Sequence, residues 1–288
     1  MKVGVIGLGI MGSAMSANLA KNGFKVCGYD VLPKARAALK RAGGIAVESP
    51  LEVFSSARII ITSLPSAAAL HSVCSAVEGR GVVVIETSTL PIKDKVKARN
   101  TLKRKGITLL DCPLSGTGSQ AKAGDLVVFA SGERAAFSKA RAVMRGFSRD
   151  QQYVGEFGNG SKMKFVANLM VAIHNVSAGE AFALGIKAGL SPKAIFDVQA
   201  NSAGTSRMFQ VRGPMMVKGR YDDVTMKNEV WQKDMKIIGD YARSLGVATP
   251  TFKASAGVYK AAMAQGFARQ DTGAVCAVLE RMSGVRRR

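Results

Sequence analysis

The chain has 288 residues, 47% of them hydrophobic, and a formal net charge of +21. That length supports two domains with separate cores; four cysteines without C-x-x-C spacing and only two histidines, His71 and His174, exclude a disulfide framework and a Cys- or His-rich metal cluster. The basic residues are spread out, apart from the run Arg286 to Arg288 that reads as a solvated tail, and with 6% aromatics there is no stacking platform for bases, so the charge reads as a surface steering acidic small molecules inward rather than as a nucleic-acid interface.

The opening "MKVGVIGLGIMGS" is apolar but broken by glycines and lacks an A-x-A cleavage site, which argues against a signal peptide. No stretch reaches the ~18 continuous apolar residues of a membrane span, and the expectation is a soluble cytoplasmic protein. In chain order, "KVGVI", "KVCGYD", "RIIITSL", "VVVIETS" and "ITLLD" read as buried or half-buried strands. Helices are predicted between them, for example over Met11 to Asn22 and over Pro33 to Arg41, the latter opened by proline in its first turn. "DLVVFASG" and "QQYVG" suggest further strands. After Gly160 the β-runs cease: one continuous helical pattern runs from Ser161 to Gly189, and Ser191 and Pro192 begin another as N-cap and first turn. Later helices are predicted over Asn228 to Leu245, Thr251 to Gln265 and Gly273 to Met282. The chain therefore divides near residue 160. Residues 1–160 form an α/β half with a doubly wound, mostly parallel sheet, and residues 161–288 an all-α half opened by a long helix that joins the two.

"GLGIMG" directly follows the first strand and opens the first helix, with Gly7, Gly9 and Gly12 in G-x-G-x-x-G spacing. Gly7 permits a tight turn, Gly9 lets the backbone approach a pyrophosphate, and Gly12 lets helix and strand pack closely, while Leu8, Ile10 and Met11 complete a loop whose free N–H groups face the phosphates. Asp30 ends the second strand at about the ~20-residue spacing of a ribose-binding acid. This is the fingerprint of a dinucleotide-binding (Rossmann) domain. An acid there favours the free 2′-hydroxyl of NAD; Lys34 and Arg36 nearby keep NADP open.

In "GNGSKMKFVAN", residues 158–168, two lysines stand two positions apart on a helix, roughly 200° around its axis, so Lys162 and Lys164 cannot share one task. Lys164, Asn168 and Asn175 form a polar stripe on an otherwise apolar helix, and Lys162 reads as its solvated neighbour.

Four motifs in order, "GLGIMGSAM", "DCPLSGTGSQAKAGDL", "GNGSKMKFVANL" and "KDM", make nearly the whole chain resemble the β-hydroxyacid dehydrogenase family, which includes 3-hydroxyisobutyrate dehydrogenase and tartronate semialdehyde reductase. The resemblance implies that the lysine six residues after Gly158, Lys164, is the catalytic acid and base. It implies that Ser115 and Gly116 hold the substrate carboxylate, a role suited to a hydroxyl and an exposed N–H. Thr117 stands where the family has a second glycine, adding a methyl and a hydroxyl beside the pocket or reshaping the loop. Ala167 replaces the first of the family's two asparagines, and Asn168 alone is carried over to orient the substrate hydroxyl. Leu64 and Pro65 of "SLPS", Thr89 of "TSTLP" and Lys233 of "KDM" are implied as contacts on the nicotinamide side.

The implied reaction is hydride transfer between NAD and a small anionic 3-hydroxy acid or its semialdehyde, with no metal, in a homodimer or homotetramer. A free lysine is too basic to accept protons readily near neutrality, so the role of Lys164 requires surroundings that lower its basicity. The rival readings are an imine reductase of the same fold, which usually lacks this lysine, and a non-catalytic cofactor-binding protein recruited to nucleic acid by its charge.

Overall fold

In the computed structural model, which describes residues 1–287, the apolar run Lys2–Ile6 forms β1 in the middle of a six-stranded parallel sheet. Around it the chain alternates: α1 (Ile10–Lys21), β2 (Lys25–Tyr29), α2 (Pro33–Arg41), β3 (Ile45–Ala46), α3 (Pro50–Ser56), β4 (Ile59–Thr62), α4 (Ala67–Ala76), β5 (Val83–Glu86), α5 (Ile92–Arg104) and β6 (Thr108–Asp111). The strand order is β3-β2-β1-β4-β5-β6, the doubly wound arrangement expected from the alternating strands and helices. Such a sheet is covered on both faces, which is why its strands read as unbroken apolar runs.

Strand periodicity sorts those runs into two cores. Val5, Ile61, Ile85 and Leu110 pair across adjacent strands and bury into one face, while Ile6, Ile60, Val84 and Leu109 bury into the other. Each such side chain contributes about 1.5–3 kcal/mol on burial.

A second sheet follows: β7 (Leu114–Ser115), α6 (Gly118–Lys122), β8 (Val127–Ala130), α7 (Arg134–Arg145) and β9 (Asp150–Tyr153), with β7 antiparallel and β9 parallel to β8. Then come α8 (Asn159–Lys187), α9 (Pro192–Gln199), α10 (Arg207–Lys218), α11 (Asn228–Ser244), α12 (Pro250–Ala264), a short 3₁₀ turn (Thr272–Ala274) and α13 (Val275–Met282). Ser191 caps α9 by accepting from the Ala194 N–H at 3.2 Å, with Pro192 in its first turn. The chain forms two units, Met1–Lys164 and a second that begins at Phe165.

Four features depart from the sequence expectations. The two-residue strands β3 and β7 are too short to leave a periodic signal, and α10 carries Pro214 in its interior. Helix α8 is long and apolar enough, by length and composition, to cross a membrane, although polar residues divide it into short apolar runs; the core helix of a soluble protein meets the same criterion, and 39% of its most apolar window is buried. Arg287 is no solvated tail. Its guanidinium pairs with Glu280 at 2.6 and 3.0 Å and donates to the carbonyls of Met216 and Val217 in the last turn of α10, where helix carbonyls run short of backbone donors. Arg286 is exposed, and Arg288 lies outside the described residues.

Candidate active site

The last residues of five strands stand in one row: Tyr29 pairs with Ile6, Ile6 with Thr62, Thr62 with Glu86, and Glu86 with Asp111. The segments that follow, carrying Gly7, Asp30, Leu64, Thr89 and Ser115, therefore leave the sheet at the same edge. Strand order reverses direction at β1, so the glycine loop opens at the switch point where α/β sheets bind ligands.

The three glycines of this loop are needed for different reasons. Gly7 has φ +90°, and a Cβ there would stand 2.1 Å from the Ser63 carbonyl oxygen. A Cβ at Gly12 would lie 1.8 Å from the Gly7 carbonyl oxygen, so that glycine permits the close approach of α1 to the loop. A Cβ at Gly9 would meet nothing within 4 Å. Nothing in the protein itself demands a glycine at Gly9, which is exposed and forms the N-cap of α1 without a side-chain cap. A cradle of free N–H groups with no Cβ in front of it fits a pyrophosphate.

The loop is tied to the acid that follows. The Leu8 N–H donates to Asp30 Oδ2 at 2.7 Å, and the Leu32 N–H to Asp30 Oδ1 at 2.8 Å. Each carboxylate oxygen keeps a further lone pair for a ligand hydroxyl. Arg36, which kept NADP open in the sequence, donates to the Asp30 carbonyl at 2.8 Å and to Glu48 at 2.7 Å. Lys34, Ile10 and Pro65 are exposed, Leu8 is buried, and Met11, Leu64 and Thr89 are half-buried. The Leu64 N–H donates to Ser88 Oγ at 2.8 Å, which joins the loop after β4 to the Thr89 loop after β5.

Ser115 ends β7, and Gly116 follows with φ +140°, where a Cβ would press 2.6 Å from Leu126. Thr117 is the N-cap of α6 in a capping box with Gln120: its N–H donates to Gln120 Oε1 at 3.0 Å and its hydroxyl accepts from the Gln120 N–H at 3.4 Å. The added hydroxyl thus serves the helix start. Ser115, Gly116 and Thr117 are all half-buried.

The first turn of α8 is fastened to the sheet. Ser161 donates through its N–H to Asp111 Oδ2 at 2.7 Å and through its hydroxyl to Oδ1 at 2.8 Å, and the Gly160 N–H donates to Ser131 Oγ at 2.9 Å. A Cβ at Gly160 would stand 2.3 Å from the Phe129 carbonyl oxygen, so only glycine allows this approach. Asp111 caps α8 from another element and places a negative charge at its N-terminus. Lys164 follows three residues after Ser161 and is half-buried; Lys162 is exposed and donates to Asn159 Oδ1 at 3.0 Å.

In the second unit, the buried Asn168 donates to Asp234 Oδ2 at 2.9 Å, and Asp234 neighbours the half-buried Lys233. Asn175 does something else: it donates to the Tyr259 hydroxyl at 3.0 Å and accepts from Arg212 at 3.3 Å, within a buried cluster completed by Asp271. The polar stripe of α8 therefore has separate uses along its length. Sequence reasoning missed Asp234, although it stands inside the "KDM" motif; a charged residue at a position that helix periodicity turns inward was the available signal. It missed Asp111 and Ser161 as a pair because fifty residues separate them.

Two family models match the chain. One, described as the NAD binding domain of 6-phosphogluconate dehydrogenase, covers residues 2–155; the other, described as the NAD-binding of NADP-dependent 3-hydroxyisobutyrate dehydrogenase, covers residues 158–279. An L-threonate dehydrogenase of Cupriavidus necator is 31% identical over 95% of this chain and 94% of its own length. The glyoxylate/succinic semialdehyde reductase 1 of Arabidopsis thaliana is 32% identical over 96% of this chain and 97% of its own. The solved structure of 3-hydroxyisobutyrate dehydrogenase from Salmonella typhimurium aligns with a TM-score of 0.87 at 27% identity, covering 96% of this chain and 99% of that one.

Proposed function

The chain belongs to the β-hydroxyacid dehydrogenase family, and on that premise we propose that it prefers NAD to NADP and that Lys164 is its general acid and base. It is an oxidoreductase that binds NAD(P) and transfers a hydride between the nicotinamide and a small 3-hydroxy acid or the corresponding semialdehyde. The observation that carries the cofactor reading is Gly9, the glycine of the loop with open space where a Cβ would stand, at the N-terminus of α1.

NAD preference rests on Asp30, already oriented by two backbone N–H groups, and on Arg36, whose pairing with Glu48 draws it away from a 2′-phosphate. One matched model is described for an NADP-dependent enzyme, so the preference is our own reading of these side chains.

Bound NAD supplies the hydride acceptor. In our reading Ser115 Oγ and the Gly116 N–H hold the substrate carboxylate, with Thr117 shaping the loop through its cap. Asn168, its carboxamide held by Asp234, orients the substrate hydroxyl. Lys164 accepts the hydroxyl proton during oxidation and returns it to the developing alkoxide during reduction. Gly7 to Gly12 hold the pyrophosphate, and Leu64, Pro65, Thr89 and Lys233 serve the nicotinamide side. We assign cofactor binding to residues 1–160 and substrate binding and self-association, as a homodimer or homotetramer, to residues 161–288, in a cytoplasmic enzyme. The imine reductase and nucleic-acid readings are not favoured: the chain keeps Lys164, and the relatives it matches nearly end to end are named as hydroxyacid dehydrogenases and semialdehyde reductases.

The test is cofactor turnover in both directions, with NAD and NADP, against a panel of short 3-hydroxy acids and semialdehydes. Turnover at least ~10-fold more efficient with NAD, equivalent to about 1.4 kcal/mol, supports the preference; equal or better turnover with NADP refutes it.

A further inference from the structure

Helix α5 carries a lysine that its sequence presents as one more solvated charge. Lys95 is fully buried, and its ammonium stands 2.6 Å from Glu86 Oε2 and 2.7 Å from Asp111 Oδ1. The two carboxylates end neighbouring strands at directly paired positions and are themselves fully buried. Lys95 stands between two buried carboxylates and supplies the cation that burying them side by side requires. Burial alone would lower the Lys95 pKa, but Asp111 and Glu86 outweigh it and raise it, so the ammonium stays charged.

The partners of these carboxylates give the cluster more than a structural role. On one side, Glu86 Oε1 accepts from the Ser88 N–H at 2.9 Å, and Ser88 Oγ accepts from the Leu64 N–H at 2.8 Å. On the other, Asp111 heads the segment leading to Ser115 and accepts from the Ser161 N–H and hydroxyl at the start of α8. A chain of short polar contacts thus runs from Leu64 through Ser88, Glu86, Lys95 and Asp111 to Ser161. Well-packed apolar side chains could hold the strands together as firmly as a buried ion cluster. They could not fix the orientation of donors on three separate loops.

We propose that Lys95 is a positioning residue for hydride transfer, holding the Leu64 and Thr89 loops, the head of the Ser115 segment and the Lys164 turn of α8 in one fixed arrangement. The proposal rests on the reading of Lys164 given above. Misplacement of a reacting group by about 1 Å can lower a rate on the order of 100-fold, which sets the expected scale.

The experiment is Lys95→Met in the full chain, read by amide hydrogen exchange, NADH binding and steady-state kinetics. The expected result is exchange at Ser161, Ser88 and Leu64 accelerated together by about 10-fold or more, with Ile61 and Ile85 as protected as before. NADH should bind more weakly, and kcat should fall ~100-fold with KM changed far less. A folded variant with unchanged exchange at those amides, or with unchanged kcat, overturns the proposal. Should Lys95→Met fail to fold, Lys95→Gln removes the charge while keeping a polar donor in the same place. Faster exchange at Ser161, Ser88 and Leu64 together, with a lower kcat, then supports the proposal, and wild-type behaviour in either overturns it. Exchange and NADH binding need no turnover, so a failure of the Lys164 reading, seen as full activity in Lys164→Ala, is distinguishable from a failure of this one.

Discussion

Asn168 Nδ2 donates to Asp234 Oδ2 across 2.9 Å, with both side chains buried. The bond fixes which way the Asn168 carboxamide turns, a constraint that the role proposed for Asn168, orienting a substrate hydroxyl, requires. Asp234→Ala leaves a buried amide donor unsatisfied, a penalty of about 1–3 kcal/mol. It should lower the melting temperature and reduce kcat by about 10-fold at unchanged NADH affinity. Asp234→Asn retains an acceptor and should recover most of the turnover. Equal activity in all three proteins would remove Asn168 from the site.

Gly9 and Gly12 should respond in opposite ways to the same substitution. Gly9→Ala places a methyl in open space and, at the N-cap of α1, should cost no more than about 1 kcal/mol of stability, while titration with NADH should show affinity weakened by about 10-fold or more. Gly12→Ala drives a methyl into the Gly7 carbonyl and should lower the melting temperature before any cofactor is added. Wild-type NADH affinity in Gly9→Ala would argue against the pyrophosphate cradle.

What the sequence disclosed follows from how local the signal is. β1, the glycine loop and α1 are contiguous, and their period changes from 2 to 3.6 across Gly7 to Gly12, so both the fold and its cofactor class were legible there. Helix α8 was legible because its pattern runs continuously from Ser161 to Gly189, within two residues of the observed Asn159–Lys187 at each end. The Lys95 cluster was not, since its members Glu86, Lys95, Asp111 and Ser161 meet only once β5, α5, β6 and α8 are in place. Arg287 misled for the same reason: three arginines in a row describe a solvated tail, whereas the Arg287 guanidinium fills the end of α10. Thr117 was noticed as a departure from the family pattern, but only its bond with Gln120 shows what the hydroxyl does.

The second unit makes a pH prediction. Asp271 is fully buried and accepts from Arg212 Nε at 2.8 Å, from the Gly273 N–H at 2.9 Å, and from the N–H and hydroxyl of Thr225 at 2.8 and 2.7 Å. Burial opposes its charge, but Arg212 and these donors outweigh it and hold its carboxyl below the usual range. A carboxylate depressed in the folded state contributes stability that is complete above the unfolded value of about 3.9 and is lost as pH falls through the folded value. Melting temperature should therefore drop as pH falls from about 4. Asp271→Asn should flatten that dependence and, by stranding Arg212, cost about 3–5 kcal/mol at neutral pH. An unchanged acid limb in the variant would assign the loss to other carboxylates.

The central claim is that Lys164, half-buried in the first turns of α8, moves the proton of the reaction. The most direct measurement is the single-turnover rate of NAD reduction with the best 3-hydroxy acid of the panel, comparing wild type with Lys164→Ala at saturating cofactor. A fall of about 10²- to 10⁴-fold, in a folded variant with NADH affinity unchanged, is the predicted result for a lost general acid and base. A rate within about threefold of wild type, well below any general acid–base contribution, would contradict the account and assign the proton transfer to another group.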